Sequence, residues 1–473
     1  MRKIWFAYGL LGIFLSTQAW AKIDRDQKIN GSLETGFWYL TNNVSDFDEN
    51  GNTYTSQDNY GNSYVQDNYM LFHARLKMDV GDEEDAVRFH TNGRFLYNVK
   101  DQNLFYGINE RYRYQFNDLN VELNQAIKNA NLFVGRKTNY FVGGIAVDGL
   151  TAIFHPKEDL DVGFYAGAGV DPRQFTGYIG PDYRYTPINF DFQAGGVFTT
   201  LRKNKFQLDF AVNSLLYKFE LDRVNTFTRW MAVLHDSWSF SGLLDVGVAG
   251  DTGLLQAQTF IHTKITSRIT NQLGYHRYRS VYFDVSDASG VPVPSDLNPN
   301  FSLGGQVNTS NYQTFSNHTK FKLQKNYFFT RVSYTKRSFD DLKRKVFTLG
   351  YRDPNIGQSN VHATLQTSLI DNFKSYHAIV DLMLGTDIIE QKLEFEMGGS
   401  ISYNERQVYE NFQAVSGQFE TEQESVLRAN LIFQPTLKMA WYVQYRMYNQ
   451  VDAVNSDQKV KLHEVFLSTN VRF

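Results

Sequence analysis

The residues of this chain that could do chemistry are charges set two apart. Arg75, Lys77 and Asp79 alternate with Ala74, Leu76 and Met78; Arg88, His90 and Arg94 interleave with Phe89, Thr91, Gly93 and Phe95. Lys392, Glu394 and Glu396 alternate with Leu393, Phe395 and Met397. A period of two puts such charges on one face of an extended strand and the apolar residues on the other. A face this charged is wet. Fixed charges on a wet wall sort passing solutes, as the charged rings of channels do. The candidates for such a wall are Arg75, Lys77, Arg88, Arg94, Arg136 and Arg331, with Asp79, Glu122, Glu394 and Glu396 as acidic counterparts. The plainer alternative is that they are merely solvated or paired with one another. The basic group on the early strands suits an anionic solute.

Other chemistry is sparse. Asp46, Asp48 and Asn50, followed by Gly51, fall at positions 1, 3, 5 and 6 of a calcium-loop pattern. Position 12 is Gln57 rather than a bidentate Glu, so any Ca²⁺ bound there would be held weakly; a polar surface loop is the plainer reading. No other cofactor is expected. The sequence has no G-x-S-x-G, H-E-x-x-H or P-loop pattern, and no local spacing assembles its Ser, His and Asp residues into a catalytic set. An enzyme would have to gather its residues from separate strands.

The elements that must position these charges are strands. The chain holds 29 Tyr, 38 Phe and 6 Trp but only 9 Pro in 473 residues. Aromatic side chains suit a pleated surface, and Pro breaks a strand ladder. Met70, Phe72, Ala74, Leu76, Met78 and Val80 share a face, and the pattern recurs in Val361–Leu369, Leu393–Ile401 and Met439–Met447. These runs exceed the 5–6 residues usual for soluble strands and match the ~9–11 of a tilted transmembrane strand. Short turns such as "GDEEDA" (81–86), "PKED" (156–159), "LRKNK" (201–205), "HDS" (235–237) and "QPTLK" (434–438) alternate with polar stretches at 42–67, 170–187, 284–310 and 405–424. Short turns on one side and long loops on the other are the habit of outer-membrane barrels. The expectation is an all-β, transmembrane, antiparallel up-and-down barrel of about 20 strands, with 18–22 tenable.

Both ends fit that expectation. Arg2 and Lys3, the apolar run Ile4–Leu15 and "AWA" (19–21) have the form of a secretory signal, so residues 1–21 are expected to be cleaved and 22–473 to form one barrel domain. Loss of Arg2 and Lys3 takes the formal charge from −3 to −5, which gives no reason to expect nucleic acid as a partner. There is no Cys, hence no disulfide and no thiolate site. The chain closes on "LHEVFLSTNVRF", with Val465, Leu467, Thr469, Val471 and Phe473 on one face. An unpaired terminal strand with an apolar face would aggregate, so this one is expected to pair with the first strand and close the barrel. An aromatic end preceded by alternating apolar residues resembles the C-terminal signal of Gram-negative outer-membrane proteins. That resemblance implies recognition by the barrel-assembly machinery, with outer-membrane lipids and lipopolysaccharide as surroundings.

A second resemblance covers about 80 residues. "RLKMDVG" (75–81), "FNDLNVEL" (116–123), "NLFVGRK" (131–137) and "VDGLTAIF" (147–154) follow in an order similar to the N-terminal half of the alginate-export family and related substrate-selective porins. The matching residues are Gly135, Arg136, Asp148 and Gly149. The resemblance implies a pore-wall place for Arg136 and adds Asp148 to the pore-lining set. The function expected is therefore a passive channel for small hydrophilic solutes, with anionic saccharides as one class. A closed surface-interaction barrel and a barrel enzyme are the alternatives.

Overall fold

The computed structural model describes residues 29–44, 69–82, 84–98, 112–169, 192–217, 219–250, 252–279, 311–337, 343–372, 375–410, 413–452 and 459–473. They form β1 (Ile29–Val44), β2 (Tyr69–Val80), β3 (Val87–Asn98), β4 (Tyr112–Ile127), β5 (Ala130–Asn139), β6 (Ile145–Lys157), β7 (Leu160–Gly169) and β8 (Phe192–Lys203). Then follow β9 (Phe206–Tyr217), β10 (Glu220–His235), β11 (Trp238–Gly250), β12 (Gly253–Lys264), β13 (Ile269–Arg279), β14 (Asn311–Leu323) and β15 (Asn326–Arg337). The last are β16 (Lys343–Asp353), β17 (Val361–Asn372), β18 (Ser375–Ile389), β19 (Leu393–Glu410), β20 (Gln413–Thr436), β21 (Met439–Asp452) and β22 (Lys459–Arg472).

Each strand pairs antiparallel with the next, and β1 pairs with β22. The sheet is thus a closed barrel of 22 strands, two more than the central expectation. Closure removes both edges, which is the physical solution to the apolar final strand. The seam runs from Ser32↔Arg472 to Val44↔Val460. Phe473 continues it by exchanging both backbone hydrogen bonds with Gly31, at 2.8 and 3.0 Å.

The two rims differ. Every connection from an even strand to the next odd one is short, from two residues (Lys128–Asn129, Asp236–Ser237) to seven (354–360). This is the turn rim, and both ends of the described barrel lie on it. The opposite, loop rim carries connections of unequal length. One expected loop is corrected here: most of 405–424 is strand, because β19 and β20 extend beyond their neighbours to Glu410 and from Gln413. The two strands stay paired through that stretch, from Glu405↔Thr421 to Glu410↔Gln413, with a register shift between Gln407 and Tyr409. β1 likewise runs to Val44, into the expected 42–67 loop. The candidate signal (1–21), the candidate calcium ligands Asp46, Asp48 and Asn50, and most of the other long loops lie outside the described residues.

Among the described residues the outward face is predominantly apolar around the circumference. Phe95, Val134, Phe164, Val197, Phe210, Leu273, Phe315, Val332, Leu365, Leu382, Met397 and Leu431 are all exposed. Exposed apolar area on this scale far exceeds what a water-soluble monomer tolerates. Near the turn rim the face carries aromatic pairs: Phe154–Phe164, Trp230–Phe240, Phe328–Tyr351 and Phe433–Trp441, with centroids 4.8–6.4 Å apart. Aromatic side chains at one level of an apolar band are the girdle of a membrane interface.

Candidate functional site

The inner wall carries the polar chemistry. Register decides which side chains reach it, since paired residues share a face. Arg75 lies opposite Arg94 and Lys77 opposite Asn92, on the face opposed to Leu76 and the outward Phe95. All three basic residues are exposed. Arg331 faces inward beside His318 and Thr348, with outward Val332 next to it. Arg88, Glu394 and Glu396 are inward as well.

Toward the turn rim, carboxylates and bases interlock. His90 bridges Asp79 (Nδ1···Oδ1 2.6 Å) and Glu122 (Nε2···Oε2 2.8 Å). Arg88 Nη1 donates to Glu122 Oε2 at 3.0 Å and Asn131 Nδ2 to Glu122 Oε1 at 2.9 Å. The Lys137 ammonium sits 3.5 Å above the Phe133 ring. Further round, Arg202 and His155 share Asp161 at 2.6 and 2.7 Å, Arg229 holds the fully buried Asp209, and Arg428 holds Asp381. Sequential pairing of this kind satisfies charge locally and stiffens the wall.

Arg136 and Asp148 require a correction. Arg136 lies opposite Leu119 and Asp148, and Asp148 opposite Ala168. They share the outward face with Leu119 and Val134. The reason is the period itself: Arg136 is two residues beyond Val134, so it cannot join the inward set of Phe133 and Lys137. The two side chains neutralise each other in a bidentate pair, Nε–Oδ1 2.7 Å and Nη2–Oδ2 2.5 Å. The pore-wall role is withdrawn from both.

Among the described residues, one connection folds into the lumen, and the charge pattern did not expose it. β5 and β6 are joined by the 3-10 turn Tyr140–Val142 and by Gly143–Gly144. Both glycines have left-handed backbone, φ 93° and 85°, which other residues adopt at a cost. The turn folds onto the inner faces of β8, β9 and β10. Val142 C=O accepts from Asn213 Nδ2 at 3.1 Å, and Asn213 Oδ1 accepts from Tyr165 O–H at 2.8 Å. Phe141 stacks on Phe198 with centroids 5.7 Å apart. Val142, Val147, Tyr165, Ala211 and Phe227 are all buried. Here, inside the barrel, lies a compact apolar core. Each large side chain in it contributes about 1.5–3 kcal/mol over exposure. Neighbouring Gly149 and Gly167 face each other on the inner surface, and a Cβ on either would collide with the backbone of the other strand. The available signal was "YFVGG" (140–144), two aromatics and a valine followed by two glycines between two strand patterns.

No family model matches the chain, so the similarity to alginate export gains no support there. No curated protein matches it either. Solved structures do. The Pseudomonas aeruginosa OccK3 (OpdO) structure is 11% identical, with 94% of this chain and 96% of that one covered and a TM-score of 0.40. The P. aeruginosa outer membrane protein OpdK is 10% identical, with 94% and 99% covered and a TM-score of 0.41. Acinetobacter baumannii OccAB4 is 11% identical, with 95% and 100% covered and a TM-score of 0.42. At these values no residue role passes from them to this chain. The fold rests on the strand pairing itself.

Proposed function

We propose that this chain is a Gram-negative outer-membrane channel that passes small hydrophilic solutes passively, with anionic saccharides as the favoured class. The observation that carries this reading is a closed 22-stranded wall with an apolar outside and exposed Arg75, Lys77, Arg94 and Arg331 inside. Barrels of 16 strands or more are wide enough for an aqueous path. Such a path removes the cost of carrying a polar solute through hydrocarbon. The basic surface of β2 and β3 raises the local concentration of anions at that part of the wall. The inward β5–β6 turn narrows the lumen on the β8–β10 side, leaving the basic wall as the face past which a solute travels. The outward apolar band meets lipid and lipopolysaccharide. Phe473, Val471, Thr469, Leu467 and Val465 serve the assembly machinery as its recognition strand.

The test is single-channel recording of refolded residues 22–473 in a planar bilayer under a salt gradient. A steady conductance with a reversal potential on the anion side is expected. Arg75→Glu/Arg94→Glu should move that potential toward cation preference. Folded protein without conductance would overturn the channel, and an unmoved potential would overturn the basic filter.

A further inference from the structure

Near the turn rim, on the inner wall, His362 of β17 meets Glu394 and Glu396 of β19 across β18. His362 Nε2 is 3.6 Å from Glu394 Oε1 and 3.6 Å from Glu396 Oε1. One donor atom from each residue lies within 4.8 Å of the others. The set is one nitrogen and two carboxylate oxygens, the ligand chemistry of a borderline divalent ion such as Zn²⁺.

Three features of the fold support that use. First, the separation is wrong for direct hydrogen bonding and right for shared coordination. Two ligands about 2.0–2.2 Å from one tetrahedral ion are separated by ~3.3–3.6 Å. Second, β18 makes room between the donors. Gly385 lies in register between His362 and Glu396, and a Cβ there would fall inside the imidazole. Only a glycine lets His362 lie across β18 toward Glu396. Third, Glu396 is held from behind. Asn430 Nδ2 donates to Glu396 Oε2 at 2.9 Å, and Gln444 and Tyr442 in turn hold the Asn430 carbonyl oxygen at 2.9 and 3.1 Å. This leaves Oε1 aimed at His362. Outer partners that orient a ligating carboxylate are a regular part of metal sites. The charged groups next to this set on the inner face are Asp387, in register with Glu394, and Arg352, in register with Thr364 of β17, while Arg428 on β20 is taken up by Asp381. With His362 neutral, three carboxylates face one guanidinium, an excess that a dication offsets.

We infer that His362, Glu394 and Glu396 form a three-ligand site for a borderline divalent cation of the Zn²⁺ type, open on the lumen side. The inference is independent of whether the barrel conducts. Bound metal would tie β17 to β19 at this rim and convert a locally acidic stretch of wall into a neutral one. Binding requires neutral imidazole, so protons compete with the metal.

The test is calorimetric titration of tag-free, refolded barrel with ZnCl₂ alone, at pH 7.5 and pH 5.0, with Co²⁺ as a spectroscopic probe of the ligand set. Wild type should bind saturably at pH 7.5 and lose most of that affinity at pH 5.0. Glu396→Gln and His362→Ala should each remove one equivalent of metal or weaken it at least tenfold. Asp371→Asn, at the far end of β17, should leave it unchanged. Gly385→Val offers a second route if His362→Ala misfolds: it should displace the imidazole and abolish the same equivalent while leaving both glutamates in place. Wild type without saturable binding would overturn the site. So would an equivalent that survives both Glu396→Gln and His362→Ala, or a loss shared equally by Asp371→Asn.

Discussion

Asn213→Ala tests whether the inward turn is a fixed part of the lumen. Asn213 is fully buried and joins two partners: it donates to Val142 C=O at 3.1 Å and accepts from Tyr165 O–H at 2.8 Å. Truncation leaves a buried carbonyl and a buried hydroxyl unpaired. Each orphaned group costs about 1–3 kcal/mol, so the anchored arrangement should lose about 3 kcal/mol. At 1.4 kcal/mol per factor of ten, this makes release of the turn roughly 150-fold easier. Release separates Gly144 N–H from Asn139 C=O, now 3.1 Å apart. The assay is amide hydrogen exchange on peptides spanning 138–146 in detergent-solubilised barrel. Exchange there should accelerate by about two orders of magnitude, while peptides of β16–β19 stay unchanged. Tyr165→Phe removes only the hydroxyl and keeps the amide bond to Val142, so its effect should be about tenfold or less. Unchanged exchange in a folded Asn213→Ala barrel would refute the reasoning. The turn would then be held by the Phe141–Phe198 stack and the burial of Val142 instead.

Other expectations follow from the same wall. Release of the turn in Asn213→Ala should also raise single-channel conductance, because the turn occupies lumen; an unchanged conductance with accelerated exchange would separate packing from permeation. Gly149→Val should destabilise the barrel by about 1–3 kcal/mol, since its Cβ meets the Ala166 carbonyl, and a urea midpoint equal to wild type would contradict this. Deleting Phe473 removes both backbone bonds to Gly31 at the seam and should cut the fraction of heat-modifiable, assembled barrel in membranes several-fold. Equal yields would remove Phe473 from the assembly signal.

Much of the architecture could be read before any coordinates. A period of two sustained over 10 or more residues, with charge on one face, admits few homes besides a membrane barrel, because both faces must be solvated by different media. Strand number fell within the expected range for the same reason. The ends of β19 and β20 did not follow, since polar residues continue an exposed ladder as readily as they form a loop. Inward Arg75, Lys77, Arg94 and Arg331 follow from parity alone. Arg136 shows where parity fails: both parity and motif set it on the pore wall, yet Phe133 and Val134 are both apolar, so the sequence does not say which of the two faces outward, and the structure makes it Val134, with Arg136 on the same face.

Tertiary structure alone decided what the lumen contains. The Tyr140–Gly144 turn is local, yet its anchors Tyr165, Phe198, Asn213 and Phe227 come from four other strands. His362 and Glu394 are 32 residues apart, and only the register across Gly385 brings them to 3.6 Å. Alternation tells which face a side chain occupies. It carries no information about its height on the barrel or its neighbours across the sheet. Those depend on the stagger accumulated over 22 pairings, a property of the closed barrel and of no single segment.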